Sequence, residues 1–360
     1  MNLLNKFLST AKWFWSSYLE MKKKSYPLAS LGTKLIIYSL PSTPIVAIAF
    51  AVQLPNGIKI GSADFTSNDI SMLTAILGVI IIGLGIYLIF KDLDNLARHT
   101  AKVFITGMNG TTNRFPSELL AKSEKRDARE TVILSIPERE EQSLEKQILM
   151  YNSERYVKLY SRFILHNDCS RVYLGGLARV PFLVAYGACF SSVSAKVIYF
   201  DKYHKGSEWK LLNNEDENIN FENFEIDQLH PNEDGNIGVA LSFSNEIKAE
   251  HIPSWVRDNT IIVKSNRPIG KNLIKNQENL HNIAETFKSM IDDLSNKVGC
   301  KKIHLFLAVQ STFALEIGRK YQDGTHRNWV MHNFNAQNGH YEWALEISKK
   351  GITEYVYPDE

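Results

Sequence analysis

The C-terminal half of the chain contains two similar stretches, RVYLGGLARVPFLVAYGACF from Arg171 to Phe190 and KIHLFLAVQSTFALEIGRKY from Lys302 to Tyr321. Each begins with a short apolar run, passes through a polar or glycine-containing turn and continues as a longer apolar segment, a pattern that predicts strand, loop and helix. At a constant offset of 131 residues, identical residues coincide at Leu174 and Leu305, at Phe182 and Phe313, and at Gly187 and Gly318. The chain is therefore predicted to contain an internal repeat.

Each stretch is followed by a second apolar run and then by a Glu-Trp pair. The second runs are KVIYFDKY at Lys196–Tyr203 and NWVMHNF at Asn328–Phe334. The pairs are Glu208-Trp209 and Glu342-Trp343, with a small insertion in the second copy. Both copies are thus predicted to run in the order strand, loop, helix, strand, hairpin.

The segment between the two copies predicts two more strands and a long helix. The strands are Asn236–Phe243 (NIGVALSF) and Thr260–Lys264 (TIIVK), and the helix is Leu273–Val298, with apolar residues at helical spacing. Strands that alternate with helices are typical of an α/β fold with parallel sheets. We predict a globular domain over residues 161–360, with halves at about 165–235 and 236–360.

The N-terminal part of the chain predicts a two-helix transmembrane hairpin over residues 34–91. Leu35–Leu54 and Ile70–Phe90 contain no charged residue. At about 1.5 Å per residue, each is long enough to cross roughly 30 Å of hydrocarbon. A secretory signal peptide is the alternative for the first span, although its apolar run is too long and begins too far into the chain.

Charged residues around the two spans predict their orientation. Lysine and arginine flank the hairpin on its outer sides, whereas the connecting segment 55–69 has one cation and two anions. The positive-inside rule then places both termini of this multi-pass chain in the cytoplasm, with a short loop outside. Residues 1–33 combine aromatic and cationic side chains and predict an interfacial helix, with an ordinary surface helix as the alternative. Residues 92–160 predict a charged, mostly helical linker.

Candidate ligand-binding residues lie where the predicted strands end and the helices begin. Helix N-termini at such positions favour anions, Arg and Lys bind phosphate, aromatic rings stack on bases, and Gln or Asn reads base edges. The candidates are Arg179, Lys202, Tyr203, Gln310, Ser311, Thr312, Phe334 and Asn335, with Ser311 as the expected N-cap of its helix. In the alternative interpretation, the Gly-Gly of the first copy is only a tight turn, and Tyr203 and Phe334 are core aromatics.

The sequence predicts no catalytic residue, no metal site and no cofactor. The three cysteines have no CxxC spacing, and His304, His326, His332 and His340 have no metal-ligand spacing. The formal net charge of +2 implies no broad polyanion-binding surface, so direct DNA or RNA binding is not expected. The alternative is a metal-dependent nuclease, because Asp234 followed by Glu246 and Lys248 fits a loose D…ExK spacing.

The arrangement resembles the SAVED domain, a fused pair of CARF-like Rossmann halves that senses cyclic oligonucleotide second messengers. HLFLAVQSTFALEIGRKY, NWVMHNF and GVALSFSNEI carry the resemblance, which covers about the last 200 residues. With two membrane spans in front, the whole chain resembles a two-transmembrane SAVED effector of a CBASS antiphage system.

That resemblance implies a function. The expected ligand is a cyclic di- or trinucleotide made by a partner nucleotidyltransferase. Binding is expected to drive head-to-tail homo-oligomerisation of the sensor, which crowds the membrane spans in the lipid bilayer and disrupts the inner membrane, causing abortive infection. The alternatives are a SAVED-linked metal-dependent nuclease, an enzyme that opens the cyclic nucleotide, and a ligand-free membrane scaffold or transporter subunit.

Overall fold

The computed structural model divides the chain into two compact units, Met1–Arg98 with Lys122–Asp127, and His99–Ala121 with Ala128–Glu360. The residues that the structure describes are 80, 83–91, 100–108, 114–120, 130–136, 142–155, 169–203, 208–213, 218–222, 225–322, 324–348 and 350–358.

In the first unit, residue 80 and residues 83–91 are helical. Ile80, Leu84, Tyr87 and Phe90 expose between 49% and 59% of their surface. Within the described ranges, no helix is both long enough and apolar enough to span a membrane. The predicted interfacial helix, the first predicted span and most of the second span lie outside the described residues.

Two mixed sheets form the second unit. The first has the strand order β2-β1-β3-β4-β5, and the second has the order β11-β10-β9-β8-β6-β7. The strands of the first sheet are Thr100–Thr106 (β1), Glu130–Ser135 (β2), Arg171–Leu177 (β3), Lys196–Lys202 (β4) and Trp209–Leu211 (β5). Those of the second are Asn236–Ser242 (β6), Thr260–Lys264 (β7), Lys302–Ala308 (β8), Asn328–Asn335 (β9), His340–Ser348 (β10) and Gly351–Tyr355 (β11).

The two sheets share one topology. In each, three parallel pairings are followed by an antiparallel hairpin: β2-β1-β3-β4-β5 corresponds to β7-β6-β8-β9-β10. Strand β11 extends the second sheet by pairing antiparallel with β10. The two repeated stretches thus lie in sheets of equivalent strand order.

This topology corrects one expectation. Part of the segment 92–160, predicted as a helical linker, contributes β1 and β2 to the first sheet, since β1 pairs parallel with both β2 and β3. The physical reason is burial: every residue of β1 except Lys102 is buried. The division of the chain into the predicted domains remains a prediction.

Five α-helices are described in this unit, namely Leu144–Arg155 (α1), Val180–Cys189 (α2), Ser254–Arg257 (α3), Gln277–Ser295 (α4) and Ser311–Lys320 (α5). Helices α2 and α5 follow β3 and β8 and pack against each other. Each also contacts the sheet of the other repeat, α2 on β9 and β10, and α5 on β3 and β4. The two repeats therefore share one core, which includes Phe182, Leu315 and Trp329.

A buried ionic network reinforces the contact between the repeats. Tyr199 on β4 donates its hydroxyl to Glu316 on α5 at 2.5 Å, and Arg319 Nη1 lies 3.0 Å from the same carboxylate oxygen. Burial by itself would raise the pKa of Glu316, but Arg319, Tyr199 and Lys320 hold it below its ordinary value. The carboxylate is therefore ionised and fixed between β4 and α5.

Candidate ligand-binding site

The carboxyl ends of the two sheets meet at a buried polar cluster formed by Asp201, Gln310 and Thr312. Asp201 is the penultimate residue of β4, whereas Gln310 and Thr312 flank the first residue of α5. Gln310 Nε2 lies 3.2 Å from Asp201 Oδ2 and 2.8 Å from Thr312 Oγ1, and Thr312 Oγ1 lies 3.3 Å from Asp201 Oδ2. The cluster therefore joins the end of a strand in one repeat to the start of a helix in the other.

The Asp201 carboxylate accepts three hydrogen bonds from the protein. Its Oδ1 atom accepts the backbone N–H of Lys202 at 2.8 Å, and its Oδ2 atom faces Gln310 and Thr312. Burial raises the pKa of Asp201 to about 6, against the opposing effect of these three hydrogen bonds. This carboxylate consequently carries its negative charge at neutral pH and is partly protonated near pH 6.

Gln310, predicted to contact ligand, has both ends of its amide engaged by the protein. Its Oε1 accepts the backbone N–H of Ile274 at 2.8 Å, and its Nε2 donates to the Ile274 carbonyl at 2.9 Å. Ile274 belongs to the loop between β7 and α4. In the same loop, Asn272 donates its side-chain amide to the Lys202 carbonyl at 3.0 Å. Gln310 therefore positions this loop over the junction of the two repeats, where Asp201, Gln310 and Thr312 meet.

The predicted role of Ser311 as helix N-cap is wrong. Gln310 occupies the N-cap with extended backbone angles, and Ser311 is the first helical residue. In the first repeat, Arg179 is the N-cap of α2, and Pro181 is the second helical residue. The capping residues of α2 and α5 are nevertheless separated by the offset of the repeat, so Arg179 and Gln310 are equivalent positions.

Arg179 differs from Gln310 in its surroundings. Its side chain is half-buried, and its Nε atom is buried without a hydrogen-bond partner among the described residues. No carboxylate of the described ranges forms an ion pair with it. Arg179 therefore presents a partly buried positive charge at the N-terminus of α2.

Lys202 and Tyr203 lie at the end of β4, next to Asp201, and both are half-buried. Tyr203 accepts a cation–π contact from Lys210, whose Nζ lies 5.4 Å from the ring centroid. The β4–β5 hairpin therefore holds the tyrosine ring beside a second lysine.

Phe334 and Asn335 end the equivalent strand β9, but their side chains are engaged elsewhere. The Phe334 ring lies 5.2 Å from His251 and 5.2 Å from Tyr341, measured between centroids. Asn335 donates its amide to Glu342 at 2.6 Å. Phe334 thus lies on the outer face of the second sheet, and the amide of Asn335 is held by Glu342 in the β9–β10 hairpin.

An open cleft of about 770 Å³ lies on that outer face. Its wall combines aromatic rings, imidazoles and both signs of charge, with His251, Trp255, Arg257, Tyr341, Glu342 and Tyr357 among its lining residues. This cleft could not be predicted from the sequence, because its residues come from a short turn, a hairpin and the C-terminal segment, which no local pattern connects.

Beneath the cleft, two buried histidines form a hydrogen-bonded chain. His304 Nε2 lies 3.0 Å from Asn236 Oδ1, His304 Nδ1 lies 2.9 Å from His332 Nε2, and His332 Nδ1 lies 2.9 Å from the Tyr357 hydroxyl. Because Asn236 Oδ1 only accepts, the chain is satisfied when Tyr357 donates to His332 and His332 donates to His304. Burial lowers the pKa of His304 to about 3 and that of His332 well below its ordinary value. These are neutral core histidines.

The D…ExK alternative is not supported by the geometry. Asp234 precedes β6 and Glu246 follows it, so a seven-residue strand, about 23 Å long, separates them. Glu246 instead lies 4.0 Å from Lys264, and Lys248 lies 3.7 Å from Glu250. Among the described residues, no group of histidine, cysteine, aspartate and glutamate could hold a metal ion.

The eight candidate residues therefore separate into three places. Gln310, Ser311 and Thr312 lie together at the start of α5, with Lys202 and Tyr203 following their partner Asp201. Arg179 lies at the start of α2. Phe334 and Asn335 lie beside the outer cleft. Whether any of them touches a ligand remains a prediction.

Solved structures with similar backbones are receptors containing a SAVED/CARF domain. Acinetobacter baumannii Cap4 with the cyclic trinucleotide 3'3'3'-cAAA is 13% identical, with a TM-score of 0.46 over 80% of this chain and 63% of that chain. The same receptor with 2'3'3'-cAAA is 14% identical with a TM-score of 0.44. Moraxella osloensis Cap4 is 13% identical, with a TM-score of 0.40 over 78% and 60% of the two chains. The chain thus spans less than two thirds of these receptors.

A search of curated proteins found no match to this chain. In contrast, residues 159–347, more than half of the chain, match the family described as the SMODS-associated and fused to various effectors sensor domain. The matched region contains β3 to β9 and most of β10, including the whole junction between the repeats. The chain therefore belongs to the SAVED family of sensor domains.

Proposed function

We propose that this protein is a membrane-anchored antiphage sensor that binds a cyclic di- or trinucleotide where its two CARF-like Rossmann halves meet. The observation that carries the proposal is the contact between Asp201 of one sheet and Gln310 of the other at their carboxyl ends. Open parallel sheets bind ligands beyond the carboxyl ends of their strands, near the point where strand order reverses. Two such edges that meet provide a shared site for a ring-shaped ligand.

The charges around the junction favour a polyanion. Lys202 follows Asp201, and the loop fixed by Gln310 carries Lys271 and Lys275. Asp201, the carboxylate that the described residues place at the junction, is buried and accepts three hydrogen bonds from the protein, so it does not face the ligand. Cations that surround a shielded carboxylate attract the phosphates of a cyclic nucleotide.

The membrane part of the proposal rests on the sequence. Leu35–Leu54 and Ile70–Phe90 are each long and uncharged enough for a transmembrane hairpin, and large apolar side chains of residues 83–90 are exposed. Ligand-induced head-to-tail stacking of sensor domains would gather these hairpins and raise their effective concentration in the bilayer. Clustered hairpins would then breach the inner membrane.

Ligand binding is tested with the full-length chain in detergent micelles or nanodiscs against a panel of cyclic di- and trinucleotides. A ligand present at 100 times its Kd should stabilise the fold by about 2.7 kcal/mol, and the linear oligonucleotide of equal composition should not. Lys202→Ala should weaken binding several-fold, whereas Lys350→Ala, an exposed lysine in the β10–β11 turn, should not. Absence of stabilisation by every cyclic nucleotide would rule the ligand class out.

The membrane step is tested in liposomes that contain the protein and a self-quenched dye. Adding the cyclic nucleotide that binds should release the dye, and a chain that lacks residues 35–90 should bind the nucleotide without release. Ligand binding that leaves the liposomes intact would refute membrane breach. Mg²⁺-dependent cleavage of DNA on ligand addition would instead favour the nuclease alternative.

A further inference from the structure

The polar residues at the starts of α2 and α5 are equivalent in position but opposite in character. Gly175 and Phe306 occupy equivalent positions in the repeat. Gly175 is paired with Phe200 on β4, and Phe306 is paired with His332 on β9. The next residues on β4 and β9, Asp201 and Asn333, are therefore also equivalent. At α5, the Asp201 carboxylate accepts from Gln310 and Thr312. At α2, the equivalent residues are Asn333 and Arg179, which both present N–H groups.

Asn333 points toward α2. Its neighbours His332 and Phe334 contact Tyr341 on the outer face of the sheet, and side chains alternate along a strand, so Asn333 faces inward. Its register partner on β10 is Trp343, whose ring lies 5.9 Å from Phe182. Phe182 is the third residue of α2. Asn333 and Trp343 therefore lie beside the first turn of that helix.

Three buried donors at this place have no partner. Arg179 Nε, Asn333 Nδ2 and Trp343 Nε1 are buried atoms that make no hydrogen bond within the described part of the chain. Asn333 is 5% exposed and Trp343 is 2% exposed. A buried donor without an acceptor costs free energy, and a bound ligand can supply the acceptor that these three donors lack. All three donate, and the nearby helix N-terminus adds positive potential.

We propose that Arg179, Asn333 and Trp343 form an anion subsite for one phosphodiester of the cyclic ligand, which is therefore held asymmetrically. In the α5 half, the protein supplies its own acceptor, Asp201. In the α2 half, the ligand supplies the acceptor. This inference rests on the proposed function for the identity of the ligand, while the subsite itself binds phosphate oxygens of any source.

Asn333→Asp provides the most direct test, because it gives α2 the acceptor that Asp201 gives α5. The full-length variant in detergent should unfold at a higher temperature than wild type without ligand, and should bind the cyclic nucleotide at least tenfold more weakly. Arg179→Gln should weaken binding by a similar factor without the gain in stability. Asn282→Asp, the same substitution at an exposed position of α4, is the matched control and should bind like wild type.

A second arm separates this inference from the proposed function. Inorganic phosphate alone should raise the unfolding temperature of wild type and of Asn282→Asp, but not that of Asn333→Asp or Arg179→Gln. If no cyclic nucleotide binds but this phosphate pattern appears, the subsite stands and the proposed ligand falls. If wild type and the Asn333→Asp and Arg179→Gln variants respond identically to phosphate and to cyclic nucleotide, the subsite is refuted.

Discussion

Gly187 and Gly318, which are identical across the repeat, face each other where α2 crosses α5. A methyl group added to Gly187 would lie 2.2 Å from the Leu315 carbonyl oxygen and 3.0 Å from Gly318 Cα. One added to Gly318 would lie 2.1 Å from the Val184 carbonyl oxygen and 3.0 Å from Gly187 Cα. The two copies of the repeat thus contact each other through their shared glycines, and the close approach of these helices holds the two sheets in one unit.

This crossing predicts that Gly187→Ala destabilises the fold. The new methyl group meets a backbone carbonyl, which a side-chain rotation cannot relieve, so the helices must separate. Overpacking of this kind costs about 1–3 kcal/mol, more than the roughly 1 kcal/mol by which alanine favours a helix over glycine. Urea unfolding of the solubilised chain, followed by tryptophan fluorescence, measures the change.

Gly318→Ala should have a comparable effect because the contact is reciprocal. Gly270→Ala is the matched control, since the nearest atom to its added methyl group is the Pro268 carbonyl oxygen at 3.9 Å, an ordinary contact distance. Equal unfolding midpoints for Gly187→Ala and Gly270→Ala would contradict the crossing described here.

Many elements could be predicted from local patterns. Thr260–Lys264 has the predicted bounds, and the strand predicted at Asn236–Phe243 ends one residue earlier. The helix predicted at Leu273–Val298 begins later, at Gln277, because the Asn276 side chain caps it by accepting the N–H groups of Glu278 at 2.7 Å and Asn279 at 3.3 Å. Capping chemistry therefore defined the boundary better than apolar spacing did.

The strands β1 and β2 were missed for a physical reason. Each is short and is followed by charged or turn-forming residues, so composition averaged over residues 92–160 favours a solvated helix. Their equivalents in the other repeat, β6 and β7, were both predicted as strands. The repeat was therefore detectable upstream of Arg171, but only by searching for the same order of elements rather than for similar residues.

The candidate site could be predicted only in part. Position at the ends of strands and starts of helices follows from topology, and this placed Gln310 and Thr312 at the junction. Their pairing with Asp201 could not be predicted, because it joins residues 109 and 111 positions apart on different repeats. The inward direction of Asn333 depends on the register of β9, which a one-residue shift would reverse.

The buried histidine pair predicts a loss of stability in acid. Burial holds the pKa of His304 at about 3 and that of His332 well below 6.5, while both bind protons normally once unfolded. Below pH 6.5 the unfolded chain therefore binds more protons than the folded chain. The histidines therefore leave the free energy of unfolding unchanged above pH 6.5. Below this pH they lower it by about 1.4 kcal/mol per pH unit for each histidine.

The first sheet suggests the variant that tests this. Tyr173 and Phe200 occupy the positions equivalent to His304 and His332, and they pack in an apolar cluster. The double variant His304→Tyr, His332→Phe should therefore flatten the stability profile between pH 6.5 and 4, measured by urea unfolding. His340→Phe, at an exposed position, should retain the wild-type slope. A double variant as acid-sensitive as wild type would show that other groups cause the loss.

Asp201 should affect the same profile with the opposite sign. Burial raises the pKa of this carboxyl from 3.8 to about 6, so between these pH values the folded chain binds a proton that the unfolded chain does not. Acidification through this range therefore stabilises the fold through Asp201, while it destabilises it through the histidines. Asn at position 201 has no such proton. As pH falls from 6 to 4, the free energy of unfolding of Asp201→Asn should consequently decrease by about 2 kcal/mol more than that of wild type.

Asp234→Asn, at an exposed position, serves as the control. Parallel profiles for wild type and Asp201→Asn would mean that the carboxylate at the junction is not held in the low-dielectric contact with Gln310 and Thr312 on which the candidate site depends.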